Sequence, residues 1–483
     1  MMNHSRKIYI ERIKNVLIVV LFLTTILLLS FFWKDISLED LNPINIIEQD
    51  ENAYVPEVQD LIKPKNILFY YGSEDYTIAK ANDGYGETTV YDNALDLVKK
   101  YVENASAAEE IQADQYNEVM SYAYINIRFD YNIPFEQFLE KNDINTSISL
   151  SSIPEMTSIS LSSASSENLF VKDKSTDSYY RIILKDQEMA DELSKQVMDF
   201  IHTMEKSEYV PYYNMADIAG GENDALMPLY MPSDITAIDG TREFSITDQI
   251  KLNKIASGFF ASGLDFVRKI TENKGSLLYM CGSNQFLFMN EDGSIEYSEN
   301  FEPSAYKELN FYDSLSLAID YVGAHGGWTS LSQNGCSPYL KSVDNVEILG
   351  CKGYNFVFGL EYDGVQVEYT EGNILSVKIC GTQVIQYERN IILTSHNSKQ
   401  ENEVWYAMAP IDILTNNYTK MGEGGFEQVI SNVRSIKFCC IRDGENDSLM
   451  IRPVWLIIMA EGERFWFDPQ TGEMLGHADA EVS

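Results

Sequence analysis

The stretch "RPVWLIIMAEGERFWFDPQTGEMLG", residues 452–476, decides the fold. Val454, Leu456 and Ile458 alternate along a first strand, which turns at Glu461-Gly462. Phe465 and Phe467 alternate along a second, and Pro469 and Gly472 make the next turn. Period-two alternation broken by Gly-containing turns predicts an antiparallel meander. Trp455 and Trp466 add apolar surface at the remaining positions, so both faces of the hairpin are apolar. A helix packed on the sheet explains one face. The other calls for another domain, a companion chain, or nothing.

Working outward, the same layout recurs twice. Residues 277–297 read "LLYMCGSNQFLFMNEDGSIEY" and residues 354–377 read "YNFVFGLEYDGVQVEYTEGNILSV". Each is strand, tight turn, strand, polar Gly turn and short strand, with Gly293, Gly372, Gly462 and Gly472 as the structural turn residues. Helical segments precede two of the copies, "NFYDSLSLAIDYVGAHGGW" at 310–328 and "WYAMAPIDILTNNYTK" at 405–420. A helix on a meander is a stable two-layer unit.

Nearer the start, "NILFYYG" after Pro64 and "YYRIILK" read as strands. "YAYINIRFDYNIPFEQFL" reads as an alternating strand with a following turn, and the Ser-rich 147–173 stretch as exposed strands. "YDNALDLVKKYVENASAAEEI" (91–111) reads as an amphipathic helix, with Leu95, Val98 and Val102 on one stripe and Asn93 a possible cap. "QEMADELSKQVMDFIHTMEK" reads as a second helix, and "LNKIASGFFASGLDFVRKI" (252–270) as a third, despite Gly258 and Gly263.

The N-terminus is of another kind. "VLIVVLFLTTILLLSFFW", Val16 to Trp33, is 18 residues without a charge. At about 1.5 Å per residue it reaches roughly 27 Å, close to a hydrocarbon core of about 30 Å. It is longer than a signal-peptide core and lacks a small-x-small site. Phe31, Phe32 and Trp33 suit an interfacial belt. Arg6, Lys7, Arg12, Lys14 and Lys34 against Glu11 give residues 1–34 a net of +4, so the remainder carries −37 − 4 = −41. The positive-inside rule then puts the N-terminus in the cytoplasm and the body outside the cell membrane, a single-pass arrangement.

The expected fold class is α+β: one N-terminal transmembrane helix, then several extracellular domains of antiparallel β-meanders packed on helices. The divisions are a cytoplasmic tip (1–15), the membrane helix (16–33), an acidic stalk (34–63) and a first α+β domain (64–207). A middle domain (208–308), a helix-plus-meander domain (309–400) and a C-terminal one of the same kind (401–483) follow.

Composition and motifs exclude several functions. With 45% hydrophobic and 12% aromatic residues the chain buries real cores. A net charge of −37 argues against nucleic acid, which needs a basic face. The five histidines form no HExxH, so no metal site is expected from them. Walker, Rossmann and GxSxG patterns are missing, and no cofactor is expected. "GEGG" at 422–425 is a short loop, and "NEDGSIEYSEN" breaks EF-hand spacing at Gly293. "HGGW" at 325–328 has two readings, a ligand frame or a helix end at Gly with Trp328 in the core. Six cysteines, Cys281, Cys336, Cys351, Cys380, Cys439 and Cys440, permit disulfides outside the cell or stay as buried thiols. Cys439 and Cys440 point to opposite faces of a strand and do not pair with each other.

Anchor, stalk and C-terminal layout together resemble the YycH/YycI (WalH/WalI) family, and the length is similar to the larger YycH. The resemblance rests on the basic tip, the membrane helix, "NILFYYG", "GYNFVFGLEYDGVQVEYTEGNILSVKICGTQVIQYERN" and "RPVWLIIMAEGERFWFDPQTGEML". Members are single-pass extracellular regulators of the cell-wall sensor kinase of Gram-positive bacteria. The resemblance implies a non-enzymatic two-component regulator whose partners are a sensor histidine kinase and a companion YycI-like protein. The contact residues expected in the membrane are Leu17, Leu21, Thr24, Thr25, Leu28, Phe31, Phe32 and Trp33. Thr24, Thr25 and Ser30 are the polar side chains of that helix, bonding either a neighbouring helix or their own i−4 carbonyls. An envelope module that holds a peptide or protease by strand addition is the alternative. An enzyme built from dispersed carboxylates is a third reading.

Overall fold

Alternating strands dominate the middle and end of the chain, and they assemble into two large sheets. The computed structural model describes residues 54–479 apart from 73–74, 165–168, 206–208, 220–224, 234–236, 261–262, 273–274, 303–306, 333–335, 363, 371, 395–404 and 444–448. The architecture is α+β with mostly antiparallel sheets.

The first sheet has nine strands. In spatial order they are Leu226–Pro228, Pro211–Asn214, Tyr76–Ala79, Asn66–Tyr70, Tyr124–Pro134, Glu155–Ser162, Leu169–Asp173, Ser178–Leu184 and Ala105–Ile111. Helices Val90–Glu103 and Gln187–Glu205 bury stripes that include Leu97, Val98, Tyr101, Val197, Phe200 and Ile201. Phe200 meets Phe69 edge-on, with ring centroids 5.3 Å apart. The first two strands of this order lie beyond residue 207, so strand pairing runs across the expected boundary at 207/208.

Two helix readings need correction. The helix expected over 91–111 ends at Glu103, and Ala105–Ile111 is an edge strand paired to Ser178–Leu184. Its Ala and Glu residues favour helix, but an open sheet edge offers seven residues a ladder, and tertiary pairing wins. Thr89 caps the helix, accepting from the Asp92 amide, and Asn93 does not. Likewise, 252–270 divides into helix Gln249–Phe259 and strand Val267–Thr271, with Gly263 at φ +68° between them. The turn expected after Tyr124–Pro134 is instead the short helix Phe135–Lys141.

The second sheet has fifteen strands and runs through the middle and C-terminal regions as one body. Leu277–Cys281, Gln285–Met289 and Ile295–Glu299 form the first meander. Leu449–Met459, Arg464–Phe467 and Met474–Ala478 form the last. The copy at 354–377 is not a meander. There the long strand Cys351–Tyr362 pairs with both Val365–Glu368 and Leu375–Cys380, which lie end to end along one of its edges. Between them Tyr369 is anchored, its hydroxyl donating to the Asn390 carbonyl at 2.8 Å, and the chain turns at Gly372. Val365–Glu368 then pairs in parallel with Val433–Asp443, joining the regions expected as separate domains at 309–400 and 401–483.

All four turn glycines, Gly293, Gly372, Gly462 and Gly472, have φ between +70° and +93°. That region strains any residue with a Cβ. The faces of the last meander are now explicit. Trp455, Ile457, Phe465 and Phe467 pack under helices Pro410–Met421 and Phe426–Ser431, against Ile413, Leu414 and Ile430. Pro410 sits in the first turn of its helix, where a missing N–H costs nothing. On the opposite face, Val454, Leu456, Cys439 and Ile441 are also buried within this one chain. Trp466 pairs across from Leu456 on that face and lies over Gly476, where a Cβ would stand 2.6 Å from the indole.

Candidate functional site

The residues expected in the membrane, Leu17, Leu21, Thr24, Thr25, Leu28, Phe31, Phe32 and Trp33, lie outside the described residues. Among the described residues no helix is long and apolar enough to cross a membrane. What can be followed is where the chain enters the body. The end of the expected stalk is not free: Val58–Leu61 is a short helix, and Leu61 and Ile62 are buried. Their apolar side chains, set in an otherwise acidic stretch, explain the docking. A Cβ at Gly323 would stand 3.5 Å from Val55, so helix Phe311–Ala324 leaves room for the entering chain. A shallow cavity of about 310 Å³ remains there, lined by Val55, Glu57, Val58, Lys141, Ile319 and Asp320.

Helix Phe311–Ala324 is capped by Asn310, whose side chain accepts from the Asp313 amide at 2.7 Å. It packs Phe311 edge-on against Phe356 in the central strands. It also meets the short helix Phe135–Lys141 that follows a strand of the first sheet, because the Phe311 amide donates to Gln137 Oε1 at 3.1 Å. Lys80 Nζ donates to the Gly364 carbonyl at 2.6 Å, a second tie between the sheets. The entering chain therefore bears on the helix that joins them.

"HGGW" takes the helix-end reading. Gly326 has φ +75° and stops the helix. Trp328 is fully buried, with Nε1 donating to the Ile319 carbonyl at 2.8 Å. His325 lies between Phe259 and Tyr321, at centroid distances of 4.3 and 4.1 Å. Its Nδ1–H donates to the Tyr321 carbonyl at 2.7 Å. Burial pushes its pKa down to about 4, and Arg389 adds repulsion, so the ring is neutral at pH 7. Arg389 is itself buried, donating to the His325 carbonyl at 2.5 Å, with Nε 3.1 Å from Glu243 Oε2. Ser330 donates to Glu243 Oε1 at 3.2 Å. The group staples three distant segments. Its cation is paired with Glu243 and donates to the His325 carbonyl and the Tyr387 hydroxyl, and its imidazole is packed between rings.

The second buried charge is Glu368, in the parallel joint. Lys341 Nζ lies 2.6 Å from Oε2, and Lys437 pairs with Oε1. Burial works to raise the carboxyl pKa, yet Lys437 and Lys341 hold it at about 2. Sequence reasoning missed both clusters. A lone charge inside an apolar strand, as at Glu368 in "GVQVEY", was the signal available. Among the described residues no group of three or more His, Cys, Asp or Glu side chains is placed to hold a metal.

No protein-family model matches this sequence. No curated protein matches it either. Two large, mostly antiparallel sheets with helices packed on them define the class, and solved structures give it a nearer likeness. The chain is similar to the crystal structure of YycH from Bacillus subtilis, with a TM-score of 0.52 and 10% identity, over 87% of this chain and 97% of that one. A second similarity, to the YpeB C-terminal domain from Bacillus megaterium, has a TM-score of 0.21 and 14% identity, over 50% of this chain and 99% of that one. It carries no argument. The fold is YycH-like.

Proposed function

We propose that this protein is a non-enzymatic, membrane-anchored regulator of a two-component histidine kinase that controls cell-envelope metabolism. The observation that carries the reading is the YycH-like fold over 87% of the chain. The helix at 16–33 spans the cell membrane, the tip stays in the cytoplasm, and the body lies outside with a YycI-like companion. In lipid the helix associates with the kinase by packing and interhelical hydrogen bonds. It regulates only by favouring one kinase state over another. Docking of residues 54–62 on helix Phe311–Ala324 supports this, because movement of the body then reaches the anchor through a packed contact.

Crosslinking from successive positions along Val16–Trp33 in cells tests the proposal. Capture of a histidine kinase, with a helical periodicity of positions, is expected. Capture of soluble peptides or proteases alone, through the outer body, would sink it in favour of strand addition. One observation favours that second reading: strand Val267–Thr271 is a sheet edge among the described residues, and the neighbouring Phe266 is 80% exposed.

A further inference from the structure

Cys351 opens the strand Cys351–Tyr362, and Cys380 closes the strand Leu375–Cys380. Gly353 is the direct cross-strand partner of Cys380, so Cys351, two residues earlier, is its diagonal neighbour on the same face. Gly353 has no side chain to stand between them. A Cβ there would fall 1.9 Å from the Ile379 carbonyl oxygen, so the strands approach closely at this point. The Cys380 thiol reaches across and donates to the Cys351 carbonyl at 3.1 Å. The Cys351 thiol donates to the Lys352 carbonyl at 3.5 Å and stands near enough to Cys380 to oppose its ionisation. Both are fully buried, in a small cluster with Ile385, bordered by Phe301 and Ile348.

Each cysteine sits beside a hairpin tip. One tip is Leu349-Gly350, with φ of +51° and +82°, and the other turns at Gly381, with φ +58°. The tips have no covalent link, and the residues that face each other between them are two thiols.

We propose that Cys351 and Cys380 are a dithiol site that closes to a disulfide under an oxidising thiol–disulfide poise and clamps the two hairpin tips together. The co-reactant is a small-molecule or protein disulfide. One cysteine sulfur attacks it, its S–S bond breaks, and one thiol leaves with the proton of the attacking cysteine. The second cysteine sulfur then attacks the mixed disulfide and releases a second thiol with the second proton. Two electrons pass from the cysteines to the external disulfide. The closed form bridges a separation of 29 residues. The proposal does not depend on the kinase reading.

Burial, then the neighbouring Cys351, pushes the Cys380 thiol up to about 11, so exchange starts slowly and waits for the tips to open. The test uses the full chain in mixtures of reduced and oxidised glutathione, with sub-denaturing urea to let the tips open. Thiols are then alkylated in strong denaturant and the peptides mapped by mass. The expected result is a linked 351/380 peptide, two hydrogens lighter, at ratios where Cys281, Cys336, Cys439 and Cys440 are still alkylated. Cys380→Ser removes the link and leaves Cys351 either alkylated or as a mixed disulfide with glutathione. Two free thiols in fully oxidised glutathione, or an earlier link between any other pair, overturns the proposal.

Discussion

The first and last meanders share a layout in sequence and differ in what surrounds them. In the first, Leu277, Tyr279, Leu287, Met289, Ile295 and Tyr297 are buried on one face. Leu278, Met280, Phe286 and Phe288 stay partly exposed on the other. In the last, one face is buried under two helices, and on the other Val454, Leu456, Cys439 and Ile441 are buried while Ile458 and Trp466 are half-buried. Equal strand patterns therefore carry unequal energetic weight, because burial and not periodicity sets the hydrophobic contribution.

The largest expected break in that comparison is Trp455→Ala. The side chain is fully buried and its Nε1 donates to the Met408 carbonyl at 3.0 Å. The loss is about 3–5 kcal/mol. Phe288→Ala in the first meander loses about 1 kcal/mol. Urea unfolding midpoints of the two variants check the difference, and equal losses would refute it.

Acid should separate the two regions in pH. His325 packs on Phe259, which also packs on Tyr297 of the first meander. Its folded pKa lies at about 4, below the ordinary 6.5. The unfolded chain takes up the proton first, so stability is full above about 6.5 and falls as pH drops toward about 4, by roughly 3 kcal/mol. His325→Phe flattens that window. Glu368 sits at the joint beside the last meander, and its contribution is present above 4.5 and lost as pH falls toward about 2. Hydrogen exchange followed by region should show the first meander loosening at the higher pH.

A smaller effect is expected from Glu368→Gln at neutral pH. Removing the carboxylate leaves Lys341 and Lys437 beside each other, and breaking a buried pair costs about 3–5 kcal/mol. Lys341 is 37% exposed, so water relieves part of this, leaving about 2 kcal/mol. A thermal melt would show it, and an unchanged midpoint would mean the joint needs no charge pair.

The smallest comparison is between turn glycines. Gly372→Ala meets no atom within 4 Å and loses about 1 kcal/mol through its positive φ alone. At Gly472 the added Cβ would also stand 2.7 Å from Met408 Sδ, so Gly472→Ala should melt lower than Gly372→Ala.

Much of the strand content was legible in the sequence. The strands at 66–70, 178–184, 277–299 and 449–478 follow apolar alternation and Gly turns. Two helices were read too long, at 105–111 and 267–271, because both stretches become edge strands and a sheet edge is not visible locally. The polar clusters were illegible for the same reason. Glu368 stands 27 residues from Lys341 and 69 from Lys437, so no local motif holds the three.

By itself, the sequence determined the strand period, the four turns that need positive φ, and the apolar run at 16–33, since each depends on neighbours a few residues apart. Only the tertiary structure decided that the second copy breaks its meander, that a parallel pair joins two regions, and that Val454 and Leu456 on the second face of 452–476 are buried by the chain itself. It alone also brought Cys351 beside Cys380. These depend on which distant apolar surfaces meet, and burial, not local pattern, selects among those pairings.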